Sequence, residues 1–235
     1  MLDPTTSAEP RNELVSLGLL RSNAPKTVAG YRRFRAVVDT DGAVPARMKR
    51  LFVACAATVK GYREMALREL AAARAAGLTV EEAAAAVTIL SSVRGEGAAL
   101  RFHGFFEQVF PEAIDPQAHD EDMVVEPGAA EANFLQYFGE MPPSLGKLLE
   151  LEPTAADAYY LMREGTLSGT VLGSMNAELL LVTVLAADYS SWASVHMNGA
   201  RKAGASEKAV AEAVICAVPT GGLSAWVIGA GAMDA

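Results

Sequence analysis

The stretch Tyr189 to Gly204, Y-S-S-W-A-S-V-H-M-N-G-A-R-K-A-G, gathers three side chains able to do chemistry. Tyr189, Trp192 and His196 stand three and four residues apart, a spacing that predicts one face of one helix. Histidine is the residue type that most readily gives and takes a proton near neutral pH. Tryptophan is a flat, rigid wall, and a tyrosine hydroxyl can orient or share a proton. The same pattern also suits a core histidine with both ring nitrogens hydrogen-bonded and a tryptophan that merely packs. On residue types alone that plainer reading is the stronger one.

Two other places carry side chains that suit a substrate anion. Arg94 and the R-F-H segment Arg101 to His103 lie around a glycine break at Gly95 and Gly97. An arginine fork matches a carboxylate, so Arg94 and His103 are candidate substrate contacts, although a surface arginine is the default. Gly95 and Gly97 make no phosphate loop, since no strand precedes them and no Lys-Ser/Thr follows.

These residues sit in a chain that repeats itself. Tyr62 to Gly77, Y-R-E-M-A-L-R-E-L-A-A-A-R-A-A-G, echoes Tyr189 to Gly204 at an offset of 127 residues. Tyr62 then matches Tyr189, Met65 matches Trp192, and Glu69 matches His196. Tyr62 reads first as structural, with a place facing Tyr189 across a pseudo-twofold axis as the alternative, and Glu69 would form a salt bridge on a solvated or interface surface. Glycines, caps and segment lengths agree over nearly the whole chain. The organisation expected is a first repeat over 1–110, an acidic, proline-containing linker over 111–128 and a second repeat over 129–235. His119, inside the linker, reads as solvated.

Composition fixes the class. Of 235 residues, 51% are hydrophobic and only 7% aromatic, and the periodic segments are rich in Ala, Leu, Glu, Arg and Met. Alternating Val, Ile, Thr and aromatic runs are missing, so the chain is expected to be all-α. Helices are predicted over about 13–20, 26–38, 46–60, 62–76, 79–92 and 98–110. In the second repeat they are predicted over 153–163, 176–187, 189–203, 206–218 and 223–232. T-V-E-E at Thr79 to Glu82 is a capping box, and Gly77 and Gly204 are C-terminal caps.

A net charge of −8 argues against nucleic acid as a partner. The one basic cluster, Arg32, Arg33, Arg35, Arg47, Lys49 and Arg50, reads as a solvated face, with anion binding as the alternative. Cys55 and Cys216 are far apart, non-equivalent in the repeats and without metal-ligand spacing, which suggests two buried thiols and a reducing cytoplasm. The first residues, M-L-D-P-T-T-S-A-E-P, lack a signal peptide's basic start and apolar core. The longest apolar run, Leu179 to Ala187, is too short to span a bilayer.

A long helix, a second ending in A-x-x-x-G-[LA]-[ST], and a third opening with acidic residues together resemble the carboxymuconolactone decarboxylase and alkylhydroperoxidase D (AhpD-like) superfamily. The carrying segments are R-E-L-A-A-A-R-A-A-G-L-T-V-E-E-A and V-H-M-N-G-A-R-K-A-G-A-S-E-K-A-V. The resemblance spans roughly 40–110 and 140–235. It implies an AhpD-like helical bundle and a homo-oligomer, here a trimer of two-repeat chains. In the peroxidase branch of this superfamily the second helix begins C-x-x-C-x-x-x-H, with a relay glutamate on the preceding helix. His196 falls on the motif histidine and Glu178 one residue nearer than the relay glutamate. Tyr189 and Trp192 fall on the two cysteines, and neither can do disulfide chemistry.

The decarboxylase branch lacks the cysteine pair and keeps the histidine, with no metal or organic cofactor. The resemblance therefore implies a cofactor-independent decarboxylase, or a related lyase or isomerase, acting on a small unsaturated carboxylate or lactone. His196 would be the general acid–base, with Tyr189 and Glu178 orienting it or sharing its proton. Trp192, Tyr62, Arg94 and His103 are the candidate substrate contacts. A non-catalytic binding or assembly protein on the same fold is the competing expectation.

Overall fold

The structure, a computed structural model, describes residues 13–113 and 123–234. His119, half of the expected linker and the polar first residues lie outside the described residues. Before the linker come α1 (Glu13–Ser16), α2 (Gly18–Asn23), α3 (Pro25–Asp39), α4 (Ala46–Val59), α5 (Arg63–Ala75), α6 (Val80–Arg94) and α7 (Glu96–Val109). After it come α8 (Ala129–Phe138), α9 (Pro143–Leu151), α10 (Pro153–Leu167), α11 (Gly173–Ala187), α12 (Ala193–Lys202), α13 (Glu207–Gly221) and α14 (Leu223–Met233). No strand occurs among the described residues. The fold is all-α.

The helix ends are written locally. Pro25 and Pro153 open α3 and α10, where a missing N–H costs nothing. Thr79 and Glu82 form the reciprocal capping box of α6, and Ser206 caps α13 by accepting from the Ala209 N–H. Gly95 and Gly222 turn the chain from α6 into α7 and from α13 into α14, at φ of 76° and 68°. The sequence reading missed α8, whose ten residues lie between left-handed glycines at 128 and 139.

The two halves interlock. Helices α4 and α11 pack against each other at the centre and are buried along most of their length. Helix α3 packs on α13 of the opposite half, and its counterpart α10 packs on α6. Neither half could therefore be removed without exposing apolar surface of the other.

The ends of α4 and α11 correct the alignment of the halves. Tyr62 N–H donates to Ala57 and Gly61 N–H to Thr58, while Ser190 N–H donates to Leu185 and Tyr189 N–H to Ala186. Both are Schellman terminations. Gly61 and Tyr189 are the residues in the left-handed conformation, at φ of 77° and 57°. The counterpart of Tyr189 is thus Gly61, and the offset is 128 up to this turn and 127 after it. Consequently Arg50 stands where Glu178 stands, and Glu69 where His196 stands.

The same turn overturns the helix predicted over 189–203. Tyr189 holds a left-handed conformation that ends α11, and α12 begins only at Ala193. Tyr189, Trp192 and His196 therefore do not share a helical face.

Candidate functional site

Helix α11 carries Glu178 inward on a run that is apolar on every side. A carboxylate in such surroundings must be met by donors. Two arrive from other elements. Tyr137 of α8 donates its hydroxyl to Glu178 Oε1 at 2.8 Å, and His196 Nδ1 lies 2.7 Å from Glu178 Oε2. Glu178 is 2% exposed, while His196 is only partly buried. As a carboxylate Glu178 can only accept, so Nδ1 carries the proton of that bond and Nε2 is the nitrogen left for chemistry. Burial pushes the Tyr137 hydroxyl well above its ordinary value, and the charge and hydrogen bond of Glu178 push it further. Tyr137 therefore stays protonated and remains a donor.

A glycine makes the arrangement possible. Gly199 lies one turn beyond His196 on α12, and a Cβ there would fall inside the Glu178 carboxylate and 2.7 Å from Tyr137 Oη. Arg163 of α10 closes the group: its guanidinium lies 3.6 Å from the centre of the Tyr137 ring, and its Nη1 donates to Asn133 Oδ1 at 2.6 Å. Stacking on an aromatic face fixes the plane of the fork while leaving other N–H groups to face a ligand.

His196, Tyr137 and Arg163 line a cleft of about 350 Å³. Trp192, Tyr159, Met162 and Leu181 supply apolar walls, and Ser92 to Arg94 at the end of α6 reach in from the other half. The lining thus combines apolar and aromatic walls with an imidazole, a hydroxyl and a guanidinium. Among the described residues no group of three or more His, Cys, Asp or Glu is placed to hold a metal ion.

Of the sequence candidates, His196, Glu178, Trp192 and Arg94 meet at or directly behind this cleft. Arg94 is held by Asp188, its Nε donating to Oδ2 at 2.7 Å, so its charge is already answered. Three candidates are elsewhere. Tyr189 donates its hydroxyl to the Gly221 carbonyl at 2.7 Å and lies under Lys60, because its left-handed backbone turns the ring away from His196. His103 lies in a separate cleft between α6 and α7, with Glu107 3.8 Å from its Nδ1. Tyr62 lies over the first half, in a cleft with Tyr31 and Arg68.

Sequence reasoning missed Tyr137, Arg163 and Gly199. Tyr137 lies on the helix that was not foreseen, and Arg163 read as the last residue of a helix. The signal for Gly199 was a glycine in mid-helix three residues after the candidate histidine, an expensive residue with no local reason to be there.

The basic cluster is also corrected. Arg35, Lys49 and Arg50 are buried, not a solvated face, because acids meet them: Glu69 and Asp39 for the two arginines, Glu212 for Lys49. Glu69, at 2% exposure, is likewise core. Cys55 and Cys216 are buried free thiols, and burial pushes both far up, away from the thiolate that peroxidase chemistry needs.

Residues 153–235 match the sequence model of the carboxymuconolactone decarboxylase family. That segment runs from the start of α10 through α14 and includes Arg163, Glu178, Trp192, His196 and Gly199; Tyr137 lies before it. No curated protein matches the chain. No described helix is long and apolar enough to cross a membrane.

Proposed function

We propose that this chain, whose residues 153–235 match the carboxymuconolactone decarboxylase family model and whose described residues fold as an all-α bundle, is a cofactor-independent decarboxylase or related lyase or isomerase. Its substrate is a small unsaturated carboxylate or lactone. The observation that carries this reading is His196, with Nδ1 fixed 2.7 Å from buried Glu178 while its ring lines the cleft. A histidine held by one nitrogen and offering the other is a proton-transfer device.

In a decarboxylation the bond from carbon to the carboxylate breaks and carbon dioxide leaves. The electron pair stays on a carbon conjugated with a carbonyl. His196, acting as the imidazolium beside the Glu178 carboxylate, delivers its Nε2 proton to that carbon. It is left as the neutral Nδ1–H imidazole and takes a proton back on Nε2 from water. Arg163 offers a cation to the carbonyl oxygen on which charge collects. Trp192 and Tyr159 hold the flat body in place. Glu178 is a positioning residue that fixes the tautomer and plane of the imidazole from behind the cleft, and Tyr137, which lines the cleft, holds the Glu178 carboxylate in place.

The division into repeats over 1–110 and 129–235 belongs to this reading, with the chemistry in the second. So does a trimer in the cytoplasm, to which the exposed Leu223 and Val227 of α14 lend an apolar face. The test is turnover of a panel of unsaturated carboxylic acids and lactones by wild type and His196→Ala, with carbon dioxide release and deuterium incorporation read together. Conversion by wild type alone sustains the proposal. Ligands that bind both proteins equally, with no turnover by either, would move the assignment to a binding protein on the same fold.

A further inference from the structure

Arg163 stands between two clefts. It lines the His196 cleft, and it also lines an outer cleft of about 300 Å³ together with Asn133 and Glu164, which do not line the first. Its guanidinium is therefore held from the outer side. Nη1 donates to Asn133 Oδ1 at 2.6 Å and lies 3.4 Å from Glu164 Oε1. Both contacts fall on Nη1, and neither takes Nε or Nη2.

The nearer partner is the neutral one. An arginine bonded to an amide keeps its charge for other use, whereas one bonded to a carboxylate has it answered. Asn133 Nδ2 also donates to Glu164 Oε1 at 2.9 Å, and Ser168 Oγ donates to Glu164 Oε2 at 3.0 Å. Each oxygen of Glu164 is thus engaged by a neutral donor. Its side chain is 39% exposed, so water weakens its hold on Arg163. Glu178, behind the cleft, is taken up by Tyr137 and His196.

The first half shows the alternative. Arg35 on α3 occupies the position of Arg163 on α10, 128 residues earlier. Two acids meet it: Asp39 Oδ1 at 2.6 Å, one turn on, and Glu69 Oε2 at 3.0 Å. In the second half Leu167 stands in the place of Asp39 and His196 in that of Glu69. The two places that hold acids around Arg35 hold none around Arg163.

We propose that Asn133 is a positioning residue that fixes the Arg163 fork from behind and leaves its positive charge available to an oxygen anion in the His196 cleft; this assignment rests on Arg163 being the cation of the proposed reaction. Helix α8 thereby takes part in recognition. Asn133 and Tyr137, four residues apart on one face of it, both engage Arg163, and both precede the segment that matches the family model.

The probe is 4-fluorobenzoate, a stable anion, titrated by fluorine NMR into the intact chain, with the melting temperature read for every variant. Arg163→Gln is expected to weaken binding about tenfold, the worth of one charge-assisted hydrogen bond. Asn133→Asp, nearly isosteric, is expected to weaken it by a similar factor, because a carboxylate there takes the guanidinium as Asp39 takes Arg35. Glu164→Gln is expected to tighten binding about twofold, a gain that a purely structural role of this cluster does not produce. If binding depends on Arg163 but a folded Asn133→Asp chain binds the probe as wild type does, the proposal is overturned and the reading of Arg163 stands. Should Asn133→Asp unfold, Glu164→Gln decides in its place, and binding no tighter than wild type overturns the proposal. Binding that is equal in wild type and Arg163→Gln, or absent from both, overturns the role of Arg163 and that of Asn133 together.

Discussion

The buried groups of the two halves are near-inversions of each other. In the second half the acid, Glu178, is on the central helix and the base, His196, is on the next one. In the first half the base, Arg50, is on the central helix and the acid, Glu69, is on the next. Both solve the same problem, a charge carried into an apolar bundle that must be met by its opposite. They differ in what the pair can then do. An Arg–Glu pair is locked because arginine does not release its proton, whereas a His–Glu pair keeps one ring nitrogen free to exchange one. Position in the fold places an ion pair in each half, and residue type decides whether that pair could exchange a proton.

The sharpest way to break this contrast is His196→Ala. If His196 is the general acid–base, kcat falls by roughly 10²–10⁴ with little change in melting temperature, measured as carbon dioxide release on the first substrate found. The mirror experiment is Glu69→Gln. Removing the acid from buried Arg35 is expected to cost about 3–5 kcal/mol of stability in denaturant unfolding and to leave kcat unchanged. A large loss of kcat at unchanged stability would place chemistry in the first half as well.

Gly199→Ala should lie between these extremes, because its Cβ would enter the Glu178 carboxylate. The expected cost is about 1–3 kcal/mol for overpacking, with a fall in kcat that the surface control Gly97→Ala does not show.

Tyr137→Phe removes one donor to Glu178, an effect of about 1–3 kcal/mol on stability, with kcat reduced and KM nearly unchanged. It also carries a pH signature. Because the Tyr137 hydroxyl is raised in the folded state, its contribution is constant below the ordinary tyrosine value near pH ~10 and is lost as pH rises above it. The variant should therefore lose less stability than wild type on going alkaline. The smallest effect belongs to Tyr189→Phe, which loses only the bond to Gly221: about 0.5–1.5 kcal/mol, and no change in kcat. A loss of kcat there would restore Tyr189 to the site.

Much of the fold was legible because its signals are local. Prolines at 25 and 153, the caps at Thr79 and Ser206, and glycines at 77 and 204 act within a turn of where they stand. Composition alone excluded a sheet. The apolar run of α11 announced a buried helix, and a glutamate within reach of it, together with the histidine of the following segment, named the two central groups of the site. What local rules misjudged was the turn at 188–192. Tyrosine is rarely left-handed, and nothing in Y-S-S-W says that it replaces the glycine found at 61.

The rest was decided by packing. Tyr137 and Glu178 are 41 residues apart, and Arg163 reaches Tyr137 across 26. Arg35, Arg50 and Lys49 read as surface charges until the acids that neutralise them were seen. Sequence by itself determined which segments are helices, where they stop and that the chain is all-α, because backbone hydrogen bonding and capping depend on neighbours a few residues away. Only the tertiary structure decided which half carries a His–Glu pair and which an arginine–acid cluster. A buried charge takes its meaning from whatever other helix is packed against it, and that contact has no local signature.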